Sequence, residues 1–492
     1  DVTVINSRLT GALGKFGDGV YLENTARAKV AFNTINDFTR VGIVAEGSGG
    51  GKSSAILAQG NNIYNGHDSE TTEFNSGVWF ENTSSGRILG NTVDDISGGA
   101  QANNSRGITV ASGGAAGSVF DVADNQVSGA MHGMVIAPNS TDTVHVSNFT
   151  VSRGSVANYS SGITVRSGQT VTINNCTFTS TTYADGGSGS IVIDSDSAIV
   201  NLTISNCTLG TITHVTDSAD VNIFSLIGGA LTHLDLSSLH GWKIIMRAAP
   251  TNVRITNSDL LYAGTSAYSA LRASSVLSMA GGSFAASVAG TFSIGGSNAA
   301  YYFFTGVLFN GVNVALFHAG ATAHRLFFQN ATFLALSGFT VDGRFDLEFN
   351  NCRIDEYAAA GFLNGNFSAV AWNLRVRGTR FTHTDAAVIP FTLWNSHPTT
   401  FLIQDVDHTA TSFTNLNPLS TGATLHVSRS GGNMFLERGL SFSNDIAVNF
   451  TDLGTSSNGH VVFCGNCTIA NPCAGGGTGA FAKRLNSIWV CN

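Results

Sequence analysis

Three glutamates stand at equivalent places in a recurring five-residue pattern, and carboxylates arranged in this way could transfer protons. They are Glu23, Glu46 and Glu81, the last residues of the segments GVYLE, GIVAE and GVWFE. Paired carboxylates act as an acid and a base, or as an acid and a nucleophile, when their environments separate their pKa values. Neighbouring like charges raise the pKa of at least one carboxyl group, as a general acid requires. A solvated acidic edge without function is the alternative interpretation.

The elements that position these carboxylates form a repeat. After the three segments, the pattern returns as GITVA at 107–111, GMVIA at 133–137, GITVR at 162–166 and SIVID at 190–194. The steps between successive segments are 23, 35, 30, 26, 29 and 28 residues. Self-similarity at about 20–50 residues is typical of solenoids, in which each repeat is one turn.

A second pattern places an Asn between two short apolar runs, as in VTINNCTF and LTISNCTL. The six positions are Asn148, Asn175, Asn206, Asn257, Asn330 and Asn351. Asn tolerates a left-handed backbone, so we expect a bend between two strands at each, with hydrogen bonds to the Asn of the next turn. Cys176, Cys207 and Cys352 follow three of these positions and are predicted to be core residues.

Composition narrows the fold class. Only 11% of the 492 residues are charged, Gly numbers 57, and no stretch is rich in helix formers, so a large β protein is expected. The net charge of −8 without a basic run disfavours a nucleic-acid partner, and no apolar run reaches the roughly 18 residues of a membrane span. Together with the repeats, these features predict an all-β, right-handed, single-stranded parallel β-helix with three strands per turn.

The repeats resemble those of the pectate-lyase-like superfamily, and residues 1–455 more specifically resemble a bacteriophage tailspike or capsule depolymerase. The resemblance implies a homotrimer, a bacterial polysaccharide as partner, and a location in the virion tail or otherwise outside the cell. It also implies attachment to the phage tail or baseplate through an N-terminal region preceding Asp1. Residues 456–492 break the repeat and are expected to form a C-terminal cap or oligomerisation segment. The consecutive apolar residues at 299–304 predict burial of both strand faces, the outer one against another subunit.

Alternation along the repeated strand predicts which residues face outward. Its second and fourth residues are apolar, so the third and fifth should point away from the core. Glu23, Glu46 and Glu81 would then form a ladder with neighbours ~5 Å apart and the outer pair ~10 Å apart. These distances bracket the carboxyl separations of retaining (about 5–5.5 Å) and inverting (about 6.5–9.5 Å) glycosidases.

Other side chains near this ladder are predicted to contact a substrate. Tyr21 and Trp79 face outward on the same strands and offer flat faces for sugar rings. Arg166 and Asp194 continue the file of the glutamates on later turns. We predict that these four residues bind substrate.

The longest repeat carries about ten extra residues before Trp79, and they hold the densest cluster of ionisable groups in the chain. We predict a loop over residues 64–76 that closes one side of the site, because loops on rigid scaffolds often carry function. His67 and Asp68 are candidate acid or base residues, and Glu70 and Glu73 are candidate substrate contacts. An ordinary polar loop is the alternative.

Two other functions remain open. A non-catalytic tail fibre or adhesin would bind glycan without turnover. A secreted polysaccharide lyase would use the glutamates to hold Ca²⁺ and an arginine, Arg87 or Arg166, as base; otherwise no metal or cofactor is predicted. The cysteines near the C-terminus suit structural disulfides or a zinc site, and the sequence leaves this choice open for Cys464, Cys467, Cys473 and Cys491.

Overall fold

The structure is a computed structural model, and almost all of its regular structure is β-strand. It describes residues 1–11, 17–48, 52–67, 75–83, 85–97, 105–111, 117–152, 161–179, 181–183, 189–194, 198–214, 220–225, 231–262, 271–286, 291–296, 300–318, 324–336, 338–342, 345–359, 362–365, 373–388, 390–393, 400–409, 414–416, 424–428, 435–436, 449–453 and 461–492. The chain divides into two compact units, Asp1–Arg438 and Gly439–Asn492. None of the helices in these ranges has the length and hydropathy to cross a membrane.

The first unit is a parallel β-solenoid with three faces, and face 1 is the longest stack of strands. Each strand pairs in parallel with the next. In chain order, face 1 comprises Val2–Ile5, Ala28–Ala31, Ile56–Gln59, Ser85–Leu89, Val119–Ala123, Thr143–Ser147, Gly168–Asn174, Ile199–Ser205, Leu231–Ser237, Asn252–Tyr262, Val276–Ala286, Tyr301–Thr305, His324–Gln329, Phe345–Asn350, Asn373–Arg377, Thr400–Gln404 and Thr424–Ser428.

Face 2 contains the strands of the five-residue repeat. It comprises Val20–Glu23, Val41–Glu46, Ser76–Glu81, Arg106–Val110, His132–Ile136, Ser161–Val165, Gly189–Asp194, Val221–Ser225 and the end of His240–Met246. Parallel strands from Thr291–Gly296, Asn313–His318 and Gly338–Asp342, and from Leu363–Gly365, Phe391–Leu393, Thr414–Leu416 and Phe435–Leu436, form two further small sheets.

Face 3 follows face 1 after a bend. It begins with Arg8–Thr10, Thr34–Asn36, Asn62–His67, Thr92–Ser97, Gln126–Ser128, Thr150–Ser152, Thr177–Thr179 and Thr208–Leu209. It resumes in the second halves of Asn252–Tyr262 and Val276–Ala286 and in Leu308–Asn310, Thr332–Leu334, Arg353–Asp355, Arg380–Thr382 and Asp407–His408. A short pair, Thr181–Tyr183 with Ile212–His214, lies between faces 3 and 2 in the chain. The predicted parallel β-helix of the right-handed type is therefore confirmed.

One continuous core fills the solenoid. The inward residues of face 2, such as Val78, Phe80, Ile108 and Val110, are buried and pack with the apolar residues of the other faces. Because successive turns place equivalent residues one strand spacing apart, apolar side chains stack on one another along the core. This stacking fixes the register of the outward residues as well.

The predicted asparagine bends are present. All six have a left-handed backbone, with φ between 47° and 55°. In addition, a ladder of buried amides crosses the first turns: Asn61 Nδ2 donates to Asn91 Oδ1 at 2.8 Å, and Asn33 Nδ2 donates to Asn61 Oδ1 at 3.0 Å. These amides also bond to backbone groups, so they replace the hydrogen bonds that the bend removes from the sheets.

Glycine starts six of the seven repeated segments, and its recurrence has a steric cause. A Cβ at Gly107 would lie 2.5 Å from the carbonyl oxygen of Gly133 and 2.3 Å from a methyl carbon of Val127. The glycine therefore points toward the core, as does Ile108 after it. Two consecutive inward residues interrupt the alternation, so that Arg106, just before the glycine, lies outside the core.

The apolar run at 299–304 alternates more than its composition predicts. Tyr302 and Phe304 are buried in the core, whereas Tyr301 and Phe303 are exposed on face 1. The described part of this chain therefore buries one face of the strand and leaves the other exposed, because the strand has only one inward side. The trimer that would cover the outer side stays a prediction.

The second unit is a small antiparallel structure. Val461–Cys464, Ala480–Leu485 and Ile488–Cys491 form one sheet, and Cys467–Thr468 pairs with Ala474–Gly475. A short 3₁₀ helix, Phe450–Asp452, precedes them. Disulfides join Cys464 to Cys467 and Cys473 to Cys491, which answers the open question of cysteine pairing. Small units with little core commonly depend on such cross-links.

Candidate functional site

The three glutamates lie in register on adjacent strands of face 2. Glu23 pairs with Glu46, and Glu46 pairs with Glu81, so that neighbouring backbones are one strand spacing, about 4.8 Å, apart. Glu23 is exposed, while Glu46 and Glu81 are half-buried. The structure thus brings together the carboxylates that the repeat pattern singled out, and two of the three are half-buried.

Glu46 is oriented by a tyrosine from the preceding turn. The Tyr21 hydroxyl donates a hydrogen bond to Glu46 Oε1 at 2.8 Å. Desolvation and the Glu46 carboxylate raise the pKa of Tyr21 to about 12, so the phenol stays protonated as a donor. At the outer end of the ladder, the Ser48 hydroxyl donates to Glu23. Glu23 and Glu46 therefore each accept a hydrogen bond from a hydroxyl group.

Glu81 has the electrostatic environment of a proton donor. Its partial burial, and then the neighbouring Glu46 charge, raise the pKa of Glu81 above the usual range. Arg40 and Arg106 act in the opposite direction but do not cancel the effect. A carboxyl group with a raised pKa beside a second carboxylate is the arrangement used for general acid catalysis.

Beyond Glu81, the same file of side chains continues with two small residues and then a basic one. Ala111 and Ala137 follow Glu81 on the next two turns, and Arg166 and Asp194 follow them. From the backbone spacing, Glu81 and Arg166 stand roughly 14 Å apart with two small side chains between them. We call the surface over Ala111 and Ala137 the alanine groove.

Arg106 is a site residue that the sequence interpretation missed. It lies outside the core, in register with Ser76 and His132, yet it is buried. Burial and the like charge of Arg166 lower the pKa of Arg106 to about 10, while Glu81 opposes this shift. Arg106, on the turn of Ala111, therefore interacts electrostatically with both Glu81 and Arg166. The sequence did contain a signal for this site residue, because Arg106 directly precedes a glycine of the repeat.

A second missed pair lies at the other end of the ladder. Arg40 Nε donates to Asp18 Oδ1 at 3.0 Å, and the guanidinium carbon of Arg40 lies 5.8 Å from the centre of the Tyr21 ring. Asp18 also accepts from the backbone N–H of Val41. This half-buried ion pair holds a positive charge next to the tyrosine that orients Glu46.

The middle outward residues of face 2 are more enclosed than alternation predicts. Tyr21, Val44 and Trp79 are in register, but Val44 is buried and Trp79 is half-buried. The same is true of Thr109 and the residues that follow it, which are buried outside the core. Tyr21 is 44% exposed, so it is the open ring of the predicted pair. Trp79 presents part of its surface.

The predicted loop over residues 64–76 is a strand at its start. Residues up to His67 belong to Asn62–His67 on face 3, because they pair with Thr34–Asn36 and Thr92–Ser97. His67 is exposed at the end of that strand. Asp68, Glu70 and Glu73 lie outside the described residues, so their roles stay predictions.

Arg87, a candidate base for elimination, is on face 1 rather than face 2. Its side chain is exposed and its Nε lies 3.8 Å from Asp121 Oδ2. Of the two arginines considered for that role, Arg166 alone belongs to the face that carries the glutamates. In the part of the chain that the structure describes, no three His, Cys, Asp or Glu side chains are grouped to hold a metal ion.

Comparisons with known proteins give little to set beside this geometry. No protein-family model matches the chain. No curated protein matches it either. Among solved structures, that of a mutant of AlyGC, a PL6 family alginate lyase, is similar at 10% sequence identity, with a TM-score of 0.15 over 84% of this chain and 98% of that chain. The fold of this chain is thus established from its own strand pairing, and its chemistry has to be inferred from its own side chains.

Proposed function

We propose that this chain is a polysaccharide depolymerase of the tailspike type, which binds a bacterial surface glycan and hydrolyses its glycosidic bonds. The observation that carries the proposal is the pair Glu46 and Glu81, in register on adjacent strands with different environments. The repeat pattern supports the tailspike context. Glu81 is the general acid and Glu46 the nucleophile.

The acid step begins with the protonated carboxyl of Glu81. It donates its proton to the glycosidic oxygen as the bond to the anomeric carbon breaks, and the leaving sugar departs as a neutral alcohol. Burial of Glu81 and the charge of Glu46 favour the protonated form before reaction. As Glu46 forms a bond and loses its negative charge, the proton affinity of Glu81 falls, which favours transfer.

Glu46 attacks the anomeric carbon from the opposite side. The strand spacing of about 4.8 Å corresponds to the closer carboxyl separation, that of retaining enzymes, in which the carboxylate forms a glycosyl ester. Water then hydrolyses the ester, and Glu81 takes the proton from that water. The Tyr21 hydroxyl orients Glu46 for attack, and Glu23 adds negative charge behind it.

Substrate contacts follow from the surfaces around the pair. The open ring of Tyr21 and the partly exposed Trp79 pack against sugar faces, and the alanine groove accepts the chain beyond Glu81. Arg166 and Asp194, on the far side of that groove, bind polar substituents. Charge-assisted hydrogen bonds from arginine are strong and directional.

The test compares wild type with Glu46→Gln and Glu81→Gln on purified capsular and O-chain polysaccharides, with Glu356→Gln as a matched control outside the site. Either ladder variant is expected to lose cleavage by a factor of about 10³ or more while keeping its fold and glycan binding. The products of the wild type should retain the anomeric configuration. Full activity in both ladder variants would contradict the assignment.

A polysaccharide lyase is the second candidate, and the lowered pKa of Arg106, about 10, favours it. Of the two arginines beside the groove, Arg106 has moved toward the range in which a base can accept a proton from a sugar carbon. In elimination, Arg106 takes the proton from the carbon and the C–H electrons form a C=C bond. The C–O bond to the leaving sugar breaks, and the leaving oxygen takes a proton from Glu81. Its products would absorb in the ultraviolet, and Arg106→Lys would retain part of the activity, whereas hydrolysis gives no such absorbance.

A further inference from the structure

A pair of exposed aromatic rings stands on face 1, outside the carboxylate site on face 2. Tyr301 and Phe303 are 42% and 39% exposed, and their ring planes differ by only 5° at a centroid distance of 6.4 Å. On one side both rings are covered by the next turn. Phe327 stacks on Phe303 at 5.0 Å, and the guanidinium carbon of Arg325 lies 5.4 Å from the centre of Tyr301.

The other side of these two rings faces short side chains. On the preceding turn, Val276 is in register with Tyr301 and Ser278 with Phe303. Neither residue carries a ring, so the aromatic stack stops there. The ring of Phe303 therefore presents one flat face toward the earlier turns of the solenoid.

One turn further back, the short residues give way to longer polar ones. Arg254 is in register with Ser278, and Asp235 with Arg254. Arg254 is exposed, and among the described residues no ion pair or side-chain hydrogen bond holds it. Its guanidinium is thus available to a ligand above Ser278.

The result is a notch, bounded by Phe303 on one side, floored by Ser278 and walled by Arg254 on the other, with Asp235 one turn behind Arg254. The turns of Phe303 and Arg254 are two strand spacings apart, about 9.6 Å. After the half-thickness of each facing group is subtracted, about 6 Å remains, which admits one saturated ring.

We propose that this notch binds one sugar ring of the glycan, as an anchoring site separate from the carboxylate ladder. The choice of ligand rests on the proposed function. A pyranose has an apolar C–H face that packs on Phe303 and hydroxyl groups that both donate and accept hydrogen bonds. Arg254 supplies donors, and the Ser278 hydroxyl both donates and accepts.

Two sites on different faces act together on a polymer rather than on a short fragment. A long chain, or a surface that displays many chains, can occupy both at once, which raises the apparent affinity without a change at the reacting bond. A short oligosaccharide occupies the ladder alone. The notch should therefore affect retention on polymer and leave cleavage of fragments unchanged.

The experiment fills or removes the notch and measures binding directly. Ser278→Phe inserts a ring where the sugar would lie and extends the aromatic stack, whereas Phe303→Ala removes the flat wall. Thr172→Phe, outward on an earlier strand of face 1, is the matched control. All are made in the Glu81→Gln background, and the probe is immobilised capsular or O-chain polysaccharide.

Both notch variants should raise the Kd for polymer about tenfold, the factor that one aromatic contact represents, and Thr172→Phe should not. With Glu81 restored, the notch variants should cleave a short oligosaccharide of the same glycan at the wild-type rate. Unchanged polymer binding in folded Ser278→Phe overturns the proposal, as does failure of the parent protein to bind any glycan of the panel.

Two other outcomes distinguish sugar binding at the notch from a subunit interface and from the proposed hydrolysis. A change of oligomeric mass in Ser278→Phe, measured by light scattering, would assign the notch to a second copy of the chain and overturn the sugar assignment. Loss of binding in the notch variants of a protein that cleaves no glycan would refute the proposed hydrolysis and support the notch.

Discussion

Replacement of Glu81 by Gln should stabilise the folded chain at neutral pH while it abolishes the proposed chemistry. In the wild type, Glu81 is half-buried and in register with Glu46, so folding brings two negative charges to adjacent strands. Glutamine keeps the size and the hydrogen-bonding ability of the side chain and removes one charge. If position 81 were selected only for stability, a carboxylate would not be expected there, because like charges directly opposite on neighbouring strands destabilise a sheet.

The size of the effect follows from the strand spacing. Two unit charges about 5 Å apart repel by about 3 kcal/mol at an effective dielectric constant of 20 and by less than 1 kcal/mol in water. Attraction to Arg106 and Arg40 offsets part of this. We expect Glu81→Gln to raise the free energy of unfolding by about 1 kcal/mol at pH 8 and low salt.

The pH dependence has a definite sign. The pKa of Glu81 is raised in the folded state above the value of about 4.3 that an unfolded chain has. Below that unfolded value both states are protonated, so the wild type incurs no penalty and the glutamine variant gains nothing. As the pH rises through the folded pKa, the penalty in the wild type develops fully, and the gain of the variant appears.

The assay is urea-induced unfolding followed by circular dichroism at pH 8 and at pH 4, in 20 mM and 1 M NaCl. Glu356→Gln serves as the control, since that glutamate is exposed and outside the ladder. A gain in the free energy of unfolding that vanishes at pH 4 and shrinks in 1 M NaCl supports repulsion between Glu81 and Glu46 as the cause. Equal gains at both pH values, or a loss of stability at pH 8, would refute it.

Three other changes probe the scaffold and the site. Asn61→Ala removes four hydrogen bonds of a buried amide and should cost about 3–4 kcal/mol in urea unfolding, whereas Asn62→Ala, exposed next to it, should cost under about 0.5 kcal/mol. Gly107→Ala places a Cβ 2.5 Å from a carbonyl oxygen of the next turn and should lower the free energy of unfolding by about 2 kcal/mol, measured in the same way; a neutral result would contradict the close approach. Tyr21→Phe removes the donor to Glu46 and should lower kcat about tenfold on a cleaved glycan with little change in KM; an unchanged kcat would remove Tyr21 from the site.

Much of the scaffold could be predicted because a solenoid repeats its local rules. The glycine and the alternating apolar residues of the first three segments predict Glu23, Glu46 and Glu81 in one file, and the strand pairing has them in register. The asparagine bends could also be predicted, since a left-handed backbone between two strands restricts the choice of amino acid. Local pattern therefore determined both the turns and the register.

Arg106 was missed for a physical reason. Strict alternation predicts that the second and fourth residues of the repeat face inward and the glycine faces outward, whereas the glycine and the residue after it both point to the core. The interruption moves the residue before the glycine to the outer surface, where Asp18 and Arg106 occupy equivalent places on face 2. The electrostatic interaction between Arg106 and Glu81 also links different turns, which no local pattern encodes.

Enclosure of face 2 was the other feature that alternation did not reveal. Val44 and Thr109 are outside the core and still buried. A period of two states the side of the strand on which a residue lies, but not what lies over that side. The sequence alone therefore could not distinguish a pair of half-buried carboxylates from a solvated acidic edge, and the folded structure was needed.

The in-register pairing of face 2 makes the distance between chemical groups a discrete quantity. Glu81 and Arg166 are separated by two turns that carry Ala111 and Ala137. Extra residues between the strands of one turn leave this separation unchanged, so only the addition or removal of a whole turn alters it. The separation can therefore change only in increments of one strand spacing, about 4.8 Å. Variation in such a scaffold would alter the length of the accommodated ligand stepwise, while the local geometry of each carboxylate stays the same.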